Sequence, residues 1–370
     1  MGKRELLLIC GFLAIGTVVY LATAPAPAPG AQGFSISRIL DHVRREMRGN
    51  RSSAEVTTTT AVPLRPGITE VRFETGNAAM TIAGEDRTDV ECELKVWSSG
   101  FDETEAKQYA GQTTLKTTDA GSSLVIGIDY PRPATQRATL VVKVPRTLAV
   151  RIQPSRGKLE ISDVASLELG EARGQVSVHG IGRMAGTHRG GALTIESVSE
   201  LKLNTRGSTI EIKGVKGQAV MQLQAGELRA QGLSGPVELE SNGTRVSLDG
   251  AATVRPIRIN ATGGSITITG IRAETRVEGR DTRIDIAMDK PVPVSIYNEA
   301  DEPLDVTLPD GGLQLDALAT DGSVRVPDGL AAVKTDENDQ RVTAAINGGG
   351  PTVTLRVQRG TITIKKKAKT

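Results

Sequence analysis

GKLEISDV at 157–164, GQVSVHGI at 174–181, GALTIESV at 191–198 and GSTIEIKGV at 207–215 repeat one pattern: glycine, apolar-x-apolar, then a small residue before a further apolar one. It continues as GELRAQGL at 226–233, GTRVSLDGA at 243–251 and GSITITGI at 264–271. The second apolar position recurs at Ile161, Val178, Ile195, Ile212, Ala230, Leu248, Ile268 and Ile286, in steps of 17, 17, 17, 18, 18, 20 and 18. The later apolar position, at Val164, Ile181, Val198, Val215, Leu233, Ala251 and Ile271, keeps nearly the same period. A second strand fits into most units: Leu167-x-Leu169, Leu201-x-Leu203, Met221-x-Leu223, Val237-x-Leu239, Ile257-x-Ile259, Val277 and Val294-x-Ile296. Short strands and glycine turns at such a period indicate a β-solenoid.

The energetics agree. One coil buries four or five aliphatic side chains, worth roughly 1.5–3 kcal/mol each. Ordering some 17 backbones costs about 1–2 kcal/mol per residue. A coil therefore forms only where neighbours on both sides add hydrogen bonds and contacts. The fold class predicted is all-β: an elongated β-solenoid over 151–364, preceded by a less regular β-rich region.

Outward from the repeat the pattern loosens. Within 180–191 the chain reads GIGRMAGTHRGG, with only Met184 in place of an apolar pair, which predicts a looser coil. Residues 56–150 alternate as strands around Val90, Cys92, Leu94 and Val96, with one helical insertion at DETEAKQYAGQ, 102–112. Beyond 290 the period decays while the alternation persists to Ile362 and Ile364. That last strand reads as a sheet edge protected by Lys365, Lys366, Lys367 and Lys369 in a basic tail, 365–370.

The N-terminal segment, 1–24, carries Lys3 and Arg4 before the uncharged run LLLICGFLAIGTVVYLATA at 6–24. At ~1.5 Å per residue this run reaches the thickness of a bilayer core, and it reads as an uncleaved transmembrane anchor. Ala22-Thr23-Ala24 also resembles a signal-cleavage site, though Pro25 follows directly; cleavage would make the protein secreted or surface-located. Residues 25–55 hold a Pro-rich spacer (APAPAPG) and a short basic amphipathic helix with Ile36, Ile39, Leu40, Val43 and Met47 on one face. The expected location is the inner membrane, single-pass, with the β region periplasmic.

The coil motifs, together with VVKVPRTLAV at 141–150, resemble the bacterial putative-adhesin (DUF4097-like) β-solenoid family over roughly residues 60–364. The resemblance implies architecture, and it implies no catalytic residues because the family motif contains none.

A search for chemistry returns little. Lys+Arg 45 against Asp+Glu 43, with nine aromatic residues, offers neither the basic field nor the stacking platform that nucleic acid requires. Two cysteines exclude a disulfide scaffold; Cys92 reads as a small buried hydrophobe. His179 and His188 flank a glycine-rich segment with Arg183 and Arg189 that lacks the spacing of a phosphate loop. Asp281, Asp285 and Asp289, and the cluster Asp336, Glu337 and Asp339, match no calcium loop. No catalytic, cofactor or metal site is predicted. The expectation is a non-enzymatic, membrane-anchored interaction module of the bacterial envelope. Its partners would be the membrane, an envelope polymer or protein, or a second copy met at a solenoid end. The alternatives are a carbohydrate-active enzyme and a sensory domain for envelope signalling.

Overall fold

The computed structural model describes residues 52–130, 136–299, 301–330 and 333–367, together with Phe12, Ile15 and Gly16. The chain divides into two units, Met1–Ser52 and Ser53–Thr370. The expected anchor, Pro-rich spacer and basic helix fall outside the described residues, except that Phe12, Ile15 and Gly16 are helical and exposed. Among the described residues no helix is long and apolar enough to cross a membrane. The following account concerns the second unit.

Each central coil is one long strand bent at a glycine corner, as in Arg183–Val198, Glu200–Val215 and Ala219–Leu233. The half before the corner pairs in parallel with the same half of the next coil, and so does the half after it. Two facing parallel ladders result. The first carries inward Leu167, Met184, Leu201, Ala219, Val237 and Ile257 in register. The second carries Ile161, Val178, Ile195, Ile212, Ala230, Leu248, Ile268 and Ile286, the row on which the repeat was read. All of these are buried. Parallel ladders of this kind need apolar cover, and here each face covers the other. Val164, Ile181, Val198, Val215, Leu233 and Ile271 are buried as well, at the turns between coils.

Three expectations change in the structure. The coil at 180–191 is not loose: Arg183–Val198 pairs on both sides, with two interruptions in its register to Ser166–His179. Gly186 stands in register between Leu169 and Leu203, where a side chain is missing. The backbone closes that gap, so that a Cβ on Gly186 would lie 2.6 Å from the Leu169 Cβ. The apolar pair facing Leu201-x-Leu203 is Ala219-x-Met221; Leu223 is inward too but aligns with Thr205 and Ser241.

The third change concerns the C-terminus. Thr361–Lys366 is not an edge strand. It lies between Leu304–Leu308 and Ser323–Arg325, parallel to both. Its partner half-coil Thr352–Gln358 lies between Val294–Glu299 and Leu313–Thr320. The last coil in sequence is thus next to last in space. The lysines that follow serve neighbouring strands: Lys365 Nζ is 3.3 Å from Asp305 and Lys367 Nζ is 2.8 Å from Asp289.

The opposite end is built in the same way. Glu70–Glu74 sits between Ser123–Asp129 and Ala149–Ile152, and Ala79–Glu85 between Gln136–Pro145 and Leu159–Ser162. Antiparallel strands then cover the outermost coils. Asp89–Gly100 and Thr114–Ala120 do so at one end, and Asp339–Ile346 at the other. The helical insertion is present as Glu103–Gln112, capped by the Asp102 carboxylate, which accepts from the Glu105 N–H at 2.8 Å. Its Ala106 and Ala110 are buried.

Candidate functional site

Side chains alternate along a strand, so the polar positions of the first ladder form outward rows. One row reads Asn204, Gln222, Glu240, Asn260, Glu278, Tyr297, in unbroken register. The next reads Gln224, Asn242, Thr262, Arg280, Glu299. Together they line a shallow open groove of about 640 Å³. Five ladder steps of ~4.8 Å give it a length of about 24 Å across the strands.

Asparagine is disfavoured in strands, yet three of the chain's eight stand in this groove. They are not zipped into an internal ladder. The one side-chain hydrogen bond linking members of the longer row is the Gln222 Nε2–H donating to Glu240 at 2.9 Å. The amides of Asn204 and Asn260 are exposed and face solvent. Charge in the groove is largely neutralised. Glu278 holds Arg276 on its own strand, and Arg280 lies 3.5 Å from Glu299. Tyr297 closes one end, 48% exposed, the one large exposed aromatic among the described residues of the groove. Beneath the rows, Thr205 and Ser241 align with the inward Leu223, and their hydroxyls are buried without a partner among the described residues.

The groove also contains the carboxylates an enzyme would need to be tested against. Glu240 and Glu278 stand two ladder steps apart, about 10 Å, beyond the spacing of a retaining pair, and Glu299, on the strand beside Glu278, lies 3.5 Å from Arg280. Glu240 and Glu278 are exposed to water, and Glu278 is committed to a guanidinium. The arrangement is suited to binding polar groups.

The residues singled out by sequence are dispersed. Cys92 is a free, fully buried thiol pushed up to about 12 by burial. Asp285 faces outward from its strand, while Asp289 holds Arg272 and Lys367. Among the described residues no cluster of His, Cys, Asp or Glu could hold a metal ion. His179 is exposed near Glu196, and His188 is fully buried at a coil corner.

The His188 ring is satisfied on both sides. Its Nε2 lies 3.1 Å from the Gly174 carbonyl, which can only accept, so Nε2 carries the proton. Its Nδ1 then accepts from the Ser208 hydroxyl at 2.8 Å. Both partners suit the neutral ring, and burial holds its pKa below the ordinary value near 6.5. The folded state then binds fewer protons than the unfolded chain. The stabilisation is complete above about pH 6.5 and is lost as pH falls through the lower, folded-state value. The melting temperature should therefore fall between pH 7.5 and pH 5, and His188→Gln should flatten that slope. An unchanged slope in the variant would assign the acid sensitivity elsewhere.

The groove row went unread in the sequence because its residues occupy the polar positions of the second strand, between and after the apolar pairs. The signal was present as Asn204, Gln222, Glu240 and Asn260 at the coil period, and it needed the register to become a line.

No curated protein matches the sequence. Among solved structures, a putative cell adhesion protein from Clostridium sporogenes is 10% identical, covering 84% of this chain and 100% of its own, with TM-score 0.20. A putative adhesin from Parabacteroides distasonis is also 10% identical, covering 84% and 97%, with TM-score 0.30. One from Bacteroides fragilis is 12% identical, covering 85% and 97%, with TM-score 0.26. The sequence profile described as Toastrack DUF4097 matches residues 68–365, from the first inserted coil to the end of the last, and the chain belongs to that family.

Proposed function

We propose that this protein is a non-enzymatic interaction module of the bacterial envelope, held at the inner membrane by the apolar run 6–24 with its solenoid in the periplasm. The observation that carries the binding role is the amide-lined groove, presented on a face whose every strand is paired. Pairing on both sides fixes the backbone, so the rows hold their spacing before any ligand arrives, which lowers the ordering cost of binding. Regular rows also let several weak contacts act on one extended partner. The anchoring is supported by the length of the uncharged run and by Lys3 and Arg4 ahead of it.

Fractionation combined with protease treatment tests the placement. The full chain should sediment with membranes and be degraded in spheroplasts while intact cells protect it. Recovery in the soluble cytoplasmic fraction, or protection in spheroplasts, would reverse the assignment.

A further inference from the structure

We propose that the groove along Asn204, Gln222, Glu240, Asn260 and Tyr297 binds an uncharged, extended carbohydrate chain, running across the strands with one sugar ring stacked on Tyr297. This deepens the proposed interaction role and rests on it for biological setting, though not for the binding itself.

The chemistry selects the ligand class. A sugar ring offers adjacent hydroxyls that both donate and accept. A primary amide matches this, with a carbonyl acceptor and two N–H donors on one planar group. Carboxylates such as Glu240 accept from hydroxyl pairs. The groove repeats such groups at every ladder step, about 4.8 Å apart, which suits a repeating polymer better than a compact molecule. Tyr297 supplies a flat apolar face with a polar tip, exposed at the end of the same row.

The electrostatics narrow the class further. Glu278 is paired with Arg276 and Glu299 lies near Arg280, while no ion pair to Glu240 forms among the described residues. An anionic polysaccharide would meet a neutral to weakly negative wall. In the flanking row Arg258 and Arg276 are adjacent, but Val220 and Glu238 separate them from Lys202, so nucleic acid would find no continuous row of cations for its phosphates. An extended peptide is the other polymer that uses amide contacts, but it would seek an unpaired strand edge. Every strand under this groove is paired on both sides. The exposed asparagines of the rows, Asn204 and Asn260, stand at strand positions that asparagine disfavours.

The test uses the full chain, solubilised in detergent and titrated calorimetrically with hexasaccharides of β-1,4-linked glucose and of β-1,4-linked N-acetylglucosamine. Binding of at least one is expected. Tyr297→Ala and the double substitution Asn260→Ala with Gln222→Ala should each weaken it roughly tenfold or more, about 1.4 kcal/mol. Thr267→Ala, on the opposite ladder, should leave it unchanged. All these side chains are exposed or half-buried, so the variants should melt with the parent, and that control separates lost binding from lost fold. Absence of binding to both sugars, or binding that survives both groove variants, would overturn the proposal. So would a preference for polygalacturonate or for a peptide over the neutral sugars. Failure here with correct membrane fractionation would sink the ligand class alone, while binding by a cytoplasmic protein would sink the envelope placement alone.

Discussion

Ending the chain at Gly350 is expected to remove most of the protein's folding stability. The segment removed contains the coil inserted between Val294–Leu308 and the terminal coil over 313–325. Val353, Leu355, Val357, Ile362 and Ile364 leave with it, each at most 3% exposed. At roughly 1.5–3 kcal/mol per side chain, their burial is worth about 8–15 kcal/mol, as large as the net stability of a typical domain. Polar ties go as well. Arg356 donates to the Asp316 carbonyl at 2.9 Å and to its carboxylate at 2.5 Å, so that carboxylate is left with Arg341 alone. Without the insert, Leu313–Thr320 keeps only its antiparallel partner, Asp339–Ile346. Chemical denaturation should show the truncated chain unfolding at much lower denaturant, and hydrogen exchange should show protection lost first over 313–346. A peptide of residues 350–367 added in trans should restore part of it by supplying the missing strands. A truncated chain as stable as the parent would mean that the terminal coil closes by one strand spacing and pairs directly with Val294–Leu308.

The same insertion marks where sequence reading stops. Ile161 to Ile286 could be read as one inward row because consecutive coils in sequence are consecutive in space there. Hydrophobic period reports which face a residue takes, and a constant period implies a constant neighbour. At Leu313 and Val353 the face remains legible while the neighbour changes, since no local pattern records that a later strand enters between two earlier ones. Ile362 and Ile364 therefore looked like an edge, and the lysines after them looked like edge protection. Those lysines instead meet Asp305 and Asp289 on adjoining strands. His188 was hidden for a related reason. Its burial depends on Ser208, 20 residues away, and on Gly174, 14 residues away. The groove lies between these cases: every residue in it falls at a legible period, but a polar position carries no apolar signature to draw attention.

The corners show how one coil constrains the next, and the glycine pair at Gly190 and Gly191 separates two reasons for glycine that sequence cannot distinguish. Both have positive φ, 68° and 94°. A Cβ on Gly190 would meet nothing within 4 Å, so Gly190→Ala carries the left-handed backbone penalty alone, roughly 1–2 kcal/mol. A Cβ on Gly191 would lie 2.2 Å from the carbonyl oxygen of Gly174 in the coil before it. That oxygen is backbone in a paired strand and also receives the His188 ring. It cannot withdraw without breaking the register from Gly174 to Gly191 and exposing the histidine's buried proton. Gly191→Ala should therefore cost about 3–5 kcal/mol, combining the backbone penalty with the damage of an overpacked interior. The same geometry recurs at Gly226 against Ser208 and at Gly264 against Thr244, so those substitutions should group with Gly191. Gly207 and Gly243, whose surroundings are open, should group with Gly190. Equilibrium unfolding of these alanine variants tests the division. Equal losses at Gly190 and Gly191 would show that backbone conformation alone selects glycine at the corners. A gap of 2 kcal/mol or more would show that the stacking of one coil on the next selects it, which is what obliges a chain so rich in glycine to keep its period.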